Sequence, residues 1–268
     1  MNKSGNRYIL LGKNDQVMYS TDLTDSQWEV MEDILNDKRK RKYSLRDIIN
    51  GIFYLKRTGC QWRLAPKEYP PYLSCFYYFR KWTKDGTWAR INKALVELFR
   101  LKKGRKPSPS VGIIDSQTVK SSEWGVPEKG FDGGKWIKGR KRHIIVDTLG
   151  CILAVIVHNA RTHDSKGAVN LLKELFEQKY CRIFKIIAGS AYRGILITIA
   201  AVCHGWMIEI FSISNVSKFR VIPQRWKVER TFGWCNWDRR LSKDYECETD
   251  SAAAFVYISN IHRLIKNF

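Results

Sequence analysis

Two carboxylates, Asp115 and Glu229, have settings that suggest chemistry. Asp115 ends VGIID (111–115), a short apolar run. A carboxylate closing a buried strand is costly unless it is paired, hydrogen-bonded or bound to metal. A strand-end Asp that simply accepts backbone N–H groups is the plainer alternative. Glu229 lies in QRWKVERTFGW, four residues after Arg225 and beside Arg230. On a helix, Arg225 and Glu229 share a face, where a surface ion pair would be the ordinary outcome. Trp226, Phe232, Gly233 and Trp234 crowd the same segment, so at least one face of that helix must be buried.

A third candidate is KGFDGGKWIKGRKRH (129–143), which carries Lys129, Lys135, Lys138, Arg140, Lys141 and Arg142. Phe131 and Trp136 interleave with the cations, and glycines let the backbone approach a partner. Such a stretch can neutralise phosphates and stack on bases, whereas a solvated loop is the neutral reading. The histidines at 143, 158, 163, 204 and 262 show no zinc-ligand spacing. Seven cysteines, an odd number without a C-x-x-C pair, argue against a disulfide framework and read as small buried hydrophobes in a reducing compartment.

The charge points the same way as the basic stretch. Lys and Arg number 47 against 26 Asp and Glu, a formal charge of +21, and such an excess suits a polyanion, nucleic acid first. A hydrophobic content of 44% excludes wholesale disorder. No apolar run approaches the ~20 residues that span a bilayer, and the start lacks a signal-peptide core. A cytoplasmic, nucleoid-associated protein without membrane partners is expected. DNA affinity should then fall steeply with salt.

The elements that must position these residues fall into two sets. Residues 1–20 show no period and read as a loose arm. Between 21 and 101, Thr24 and Gln27 suggest a capping box before Trp28, Met31, Ile34 and Leu35. Ser44 starts a second helix. A third carries Cys75, Phe79 and Trp82 with Arg80, Lys81 and Lys84 on its other side, and a fourth runs from about Trp88 to Leu101. Several short helices with a basic third helix predict a helix-turn-helix-like DNA-binding module, a plain bundle with a basic face being the alternative.

Residues 102–110, KKGRKPSPS, read as a protease-sensitive linker. From 111 to 268 the pattern changes to strands at 111–115, 142–147 and 151–158, the last two joined through Thr148-Leu149-Gly150. A helix from about Asp164, a strand at 184–188, a helix over 195–203, a strand at 207–211 and helices from about Pro223 and Asp250 complete it. That order predicts an α/β domain with a partly antiparallel sheet.

LTDSQWEVMEDIL and YLKRTGCQWRLAPKEYPPYLSCFYYFRKWTKDGTW resemble the N-terminal region of bacterial insertion-sequence transposases of the IS-five group, within the IS-four/IS-five DDE superfamily. DSQTVK, KGFDGGKWIKGRKRHIIVDTLG and RWKVERTFGWCNWDRRLSKDYE continue the resemblance, which covers nearly everything from Leu23 to Phe268. The resemblance implies an RNase H-like catalytic domain with an Asp-Asp-Glu triad holding two divalent ions, Mg2+ or Mn2+. Asp115 matches the first Asp and Glu229 the Glu, with Arg225 as the arginine of the R-x-x-x-E pattern. Arg225, Arg230 and the stretch with Lys135, Lys138, Arg140, Lys141 and Arg142 would hold phosphates, and Arg80 and Lys81 would contact terminal repeats.

The implied activity is metal-dependent strand cleavage at the element's ends followed by strand transfer. The implied partners are double-stranded DNA (terminal inverted repeats and target) and a second copy in the synaptic complex.

This sequence departs from the pattern in three places. Ile222 and Asn236 stand where a tyrosine and a lysine often occur. The usual A-D-x-x-Y-R-G element is AGSAYRG, so Gly189 occupies the second Asp position, and no carboxylate lies between Glu177 and Glu209. Asp147 is expected to serve the hairpin turn and Asp164 to cap a helix. An impaired transposase and a catalytically inactive, transposase-derived DNA-binding protein are the two leading expectations. A structure-selective nuclease would need the full carboxylate set.

Overall fold

The computed structural model describes residues 19–123, 126–211 and 223–268. All but Tyr19 and Ser20 of the expected N-terminal arm, and Ile222, lie outside the described residues. Four helices open the fold: α1 (Asp25–Leu35), α2 (Leu45–Thr58), α3 (Tyr72–Lys84) and α4 (Thr87–Lys102). Their starts follow local chemistry. Thr24 and Gln27 form a reciprocal capping box on α1, and the Ser44 hydroxyl accepts the Asp47 N–H at the start of α2. Met31, Ile49, Phe53, Phe79, Trp82 and Trp88 turn inward from these helices.

A mixed α/β region follows. Its strands are β1 (Val111–Lys120), β2 (Gly130–Asp132), β3 (Ile137–Val146), β4 (Ile152–Asn159), β5 (Lys185–Ala188) and β6 (Met207–Ile210). β3 pairs antiparallel with β1, β2 and β4, while β1–β5 and β5–β6 are parallel. α5 (Asp164–Glu177) and α6 (Ile195–His204) connect the later strands, and α7 (Pro223–Asn236) and α8 (Thr249–Ile265) close the chain. A helical region thus precedes a partly antiparallel α/β region, in the expected order.

Two strands are longer than the sequence suggested. β1 continues five residues past Asp115, so this carboxylate sits mid-strand rather than at a strand end. β3 begins at Ile137 and takes in Lys138, Arg140, Lys141 and Arg142 of the basic stretch expected to hold phosphates. The hairpin between β3 and β4 forms as read. Asp147 accepts the N–H groups of Leu149 and Cys151, and its other oxygen pairs with Arg100 of α4. Gly150 has φ +82°, and a Cβ there would meet Thr231 and Trp234 of α7 at 3.0 Å, so α7 can dock on this turn only because a glycine makes it.

α8 is buried on nearly every side and packs against α2, α3, α4 and β4. Phe255 lies 4.6 Å from Phe79, and Asn260 donates to Asn92, which donates in turn to the Ile152 carbonyl. One apolar cluster consequently runs from α1 through α8 into the sheet. Residues 102–107 are exposed at the change from helices to strands, Ser108 is buried, and the cores on either side are continuous. The seven cysteines are all free thiols, three of them buried. No helix among the described residues is long and apolar enough to cross a membrane.

Candidate active site

Alternation along β1 decides which side chains meet. Asp115, Gln117 and Val119 lie opposite Ile144, Arg142 and Arg140 of β3 and share one face, which α7 covers. Ser116 and Thr118 lie opposite His143 and Lys141 and share the other face, toward α5.

Asp115 is half-buried and accepts the Ser116 N–H at 2.8 Å. Burial pushes its carboxyl above the usual carboxylate value, the Ser116 bond and the nearby Arg225 and Lys135 charges pull it down, and Glu229 raises it again. Asp115, Arg225, Glu229 and Lys135 are therefore electrostatic neighbours. Glu229 accepts from Arg225 Nε at 2.8 Å, with both side chains nearly half exposed. Lys135 donates to the Ser116 carbonyl at 3.2 Å.

The third corner is Gly189. β5 runs parallel to β1 with Ile187 opposite Ile113, so continuing that register two residues brings Gly189 level with Asp115. Its backbone is extended (φ −74°, ψ 172°), and a Cβ built there meets no atom within 4 Å. A side chain could start there without a clash, and this chain supplies none. Buried Tyr192, three residues on, senses the Asp115 charge.

Divalent metal is what DDE-domain transposases generally use. The side chains here do not fit a pair of such ions. No group of three or more His, Cys, Asp or Glu among the described residues is placed to ligate one. Of the two carboxylates present, Glu229 is already engaged by Arg225.

Several residues expected to grip DNA are structural instead. Arg140 and Arg142 are 0% and 2% exposed, because β3 is central in the sheet and covered on both faces. Arg140 donates to the carbonyls of Pro127, Glu246 and Cys247 and pairs with Asp244, while Arg142 donates to those of Leu241 and Lys243. Both arginines pin the segment that follows α7. Lys141 is 5% exposed and sits between Asp132 and Asp164. Arg80 is held by Glu248 at 2.5 and 2.7 Å and by Ser251, which ties α3 to α8. Arg230 donates to the Leu149 carbonyl and lies 4.5 Å over the Trp234 ring, turned to the hairpin rather than to a ligand. A run of cations reads as solvated when nothing local marks it as strand, which is why Arg140, Lys141 and Arg142 misled, whereas the partners of Arg80 and Arg230 lie far away in sequence. Lys81, Lys135, Lys138 and Arg225 remain exposed.

Asp164 is not a cap, since His163 occupies that position and accepts the Ser165 N–H. Asp164 instead pairs with Lys141 at 2.8 Å and with His143 at 3.5 Å, and His143 contacts His158 at 3.1 Å. Sequence reasoning missed this buried network. Its one local signal is the turn-forming D-G-G at 132–134.

Comparison with known proteins gives these positions a family. A model of the transposase DDE domain matches residues 106–261, and one of IS4/5-family transposases matches residues 23–92. The "Insertion element IS402 uncharacterized 16.2 kDa protein" of Burkholderia cepacia is 25% identical over 109 residues, covering 37% of this chain and 73% of that protein. A Mos1 transposase paired-end complex with the left transposon end aligns over 64% of this chain at 10% identity and a TM-score of 0.27, and the chain spans 61% of that protein's length. The sheet order and the domain match agree with the expected RNase H-like fold. The chain belongs to the DDE-domain transposases, and its N-terminal region is similar to IS4/5-family transposases.

Proposed function

We propose that this chain binds the ends of an insertion sequence as a transposase whose strand-cleaving chemistry is disabled by the lost carboxylate at position 189. The observation that supports this reading is the register of β1 and β5, which, continued two residues past Ile113 and Ile187, would bring Gly189 level with Asp115, where a Cβ would meet nothing within 4 Å. Double-stranded DNA is the substrate class, as the +21 charge favours. Arg225, Lys135 and Lys138 hold phosphates around Asp115 and Glu229, and Lys81 on α3 contacts the terminal repeats. Two copies pair in the synaptic complex.

The test is strand cleavage of a plasmid carrying the element's ends, with Mg2+ or Mn2+ supplied. The natural chain is run beside Gly189→Asp and Gly189→Asp/Glu229→Ala. Gly189→Asp is expected to cut at least ~10²-fold faster than the natural chain, and the double variant to fall back. A Cβ at residue 189 meets no atom within 4 Å, so the substitution starts without a clash. Equal cleavage by the natural chain and Gly189→Asp would overturn the reading.

A further inference from the structure

The turn between β2 and β3 exposes two aromatic rings. Trp136 is 82% and Phe131 49% exposed, and the rings meet edge-on with centroids 5.9 Å apart. Trp136 also has φ +55°, a left-handed conformation that bulky residues rarely adopt and that tends to persist where surrounding structure enforces it.

Here the enforcing structure is visible. One Asp132 oxygen accepts the N–H groups of Gly134 and Lys135 at 3.0 and 3.2 Å. The other accepts Thr118 Oγ1 at 2.5 Å and faces Lys141 at 3.6 Å. Lys141 is held in turn by Asp164 and the Thr162 carbonyl. Lys135 reaches across to the carbonyl of Ser116, the residue after Asp115. Buried charge networks of this kind fix one geometry. The turn they fix presents two rings and two lysines to solvent, next to the candidate site. A Cβ at Gly133 would meet nothing within 4 Å, so the backbone there is open to a partner.

Aromatic faces flanked by cations suit a nucleobase attached to a phosphate backbone. An unpaired base offers its face most freely, because bases inside a duplex are already stacked on each other. We propose that Trp136 and Phe131 form a platform that stacks an unpaired nucleobase at a DNA end lying against Asp115. This rests on the DNA-binding reading above and adds to it a preference for frayed or single-stranded ends.

The test uses the full chain and two labelled probes of one sequence. One is a blunt duplex, and the other carries a short 3′ extension containing 2-aminopurine. Fluorescence anisotropy gives affinity, and 2-aminopurine emission reports stacking. The natural chain should prefer the extended probe about tenfold and change its emission. Trp136→Ala should lose that preference and the emission change while blunt-duplex affinity moves less than twofold, and Trp136→Phe should keep most of both.

A natural chain without preference for the extension, or a Trp136→Ala variant that retains it or weakens both probes equally, overturns the platform. So does a Trp136→Ala variant that lowers the sedimenting mass instead, which would make the rings a contact between copies. Binding of neither probe by the natural chain overturns the DNA-binding reading as well, so the two failures are distinguishable.

Discussion

The two faces of β1 and β3 carry polar clusters built to different standards. Toward α5, Thr118, Asp132, Lys141, Asp164, His143 and His158 form a chain in which each charged group has an opposite charge or a hydrogen bond close by. Toward α7, Asp115 and Glu229 share space with Arg225 and with a glycine that contributes nothing. The first cluster holds strands, a helix and a turn together. The second has nothing packed where a Gly189 side chain would begin. A glycine at that corner is therefore compatible with the fold, because no structural contact depends on a side chain there.

The largest expected effect breaks the α5 side. Lys141→Ala leaves Asp132 and Asp164 without their shared cation, and unfolding free energy should fall by roughly 3–5 kcal/mol, as for other buried pairs stripped of one partner. A urea titration measures it. A loss under about 1 kcal/mol would mean that the network is no better built than the site opposite.

Acid should act on the same side. Burial holds the His143 imidazole down to about 4, outweighing its bond to the Asp164 carboxylate, and burial lowers His158 as well. An unfolded histidine protonates near 6.5, so below that pH the unfolded chain takes up protons that the folded chain refuses. Stability should be full above pH 6.5 and decline as pH falls toward 4, by up to about 3 kcal/mol from His143. Burial alone would raise Asp164, but its His143 and Lys141 bonds pull its carboxyl well below the usual value, and its contribution is lost only at still lower pH. Unfolding free energies measured from pH 7.5 to 4.5 should slope accordingly, with a shallower slope in His143→Gln. A flat profile in the natural chain would remove His143 from the argument.

Legibility in the sequence followed the range of the interactions. The caps at Thr24 and Ser44 and the turn at Asp147 were readable because each is settled within a few residues. Gly189 was readable because a missing residue type needs no structure to be noticed. The fates of Arg140 and Arg142 depend on carbonyls about a hundred residues later, and that of Arg80 on Glu248, so their composition suggested DNA where their positions give buried ties. α8 was legible as a helix, but its burial against α4 and β4 rests on the same long-range contacts.

The smallest expected effects belong to the α7 side and test whether it is one site at all. Arg225→Ala and Glu229→Gln remove partners of a half-exposed pair, so neither should move unfolding free energy by more than about 1 kcal/mol. They should nevertheless move Asp115 in opposite directions. Arg225 is the leading cation acting on Asp115, so its loss should raise the Asp115 pKa further, whereas neutralising Glu229 should lower it. Carboxyl carbon chemical shifts of Asp115, followed by NMR through acid titration, read both changes. An Asp115 titration indifferent to both variants would separate the carboxylate on β1 from the helix that covers it. It would also remove the reason for expecting Gly189→Asp to complete a site there.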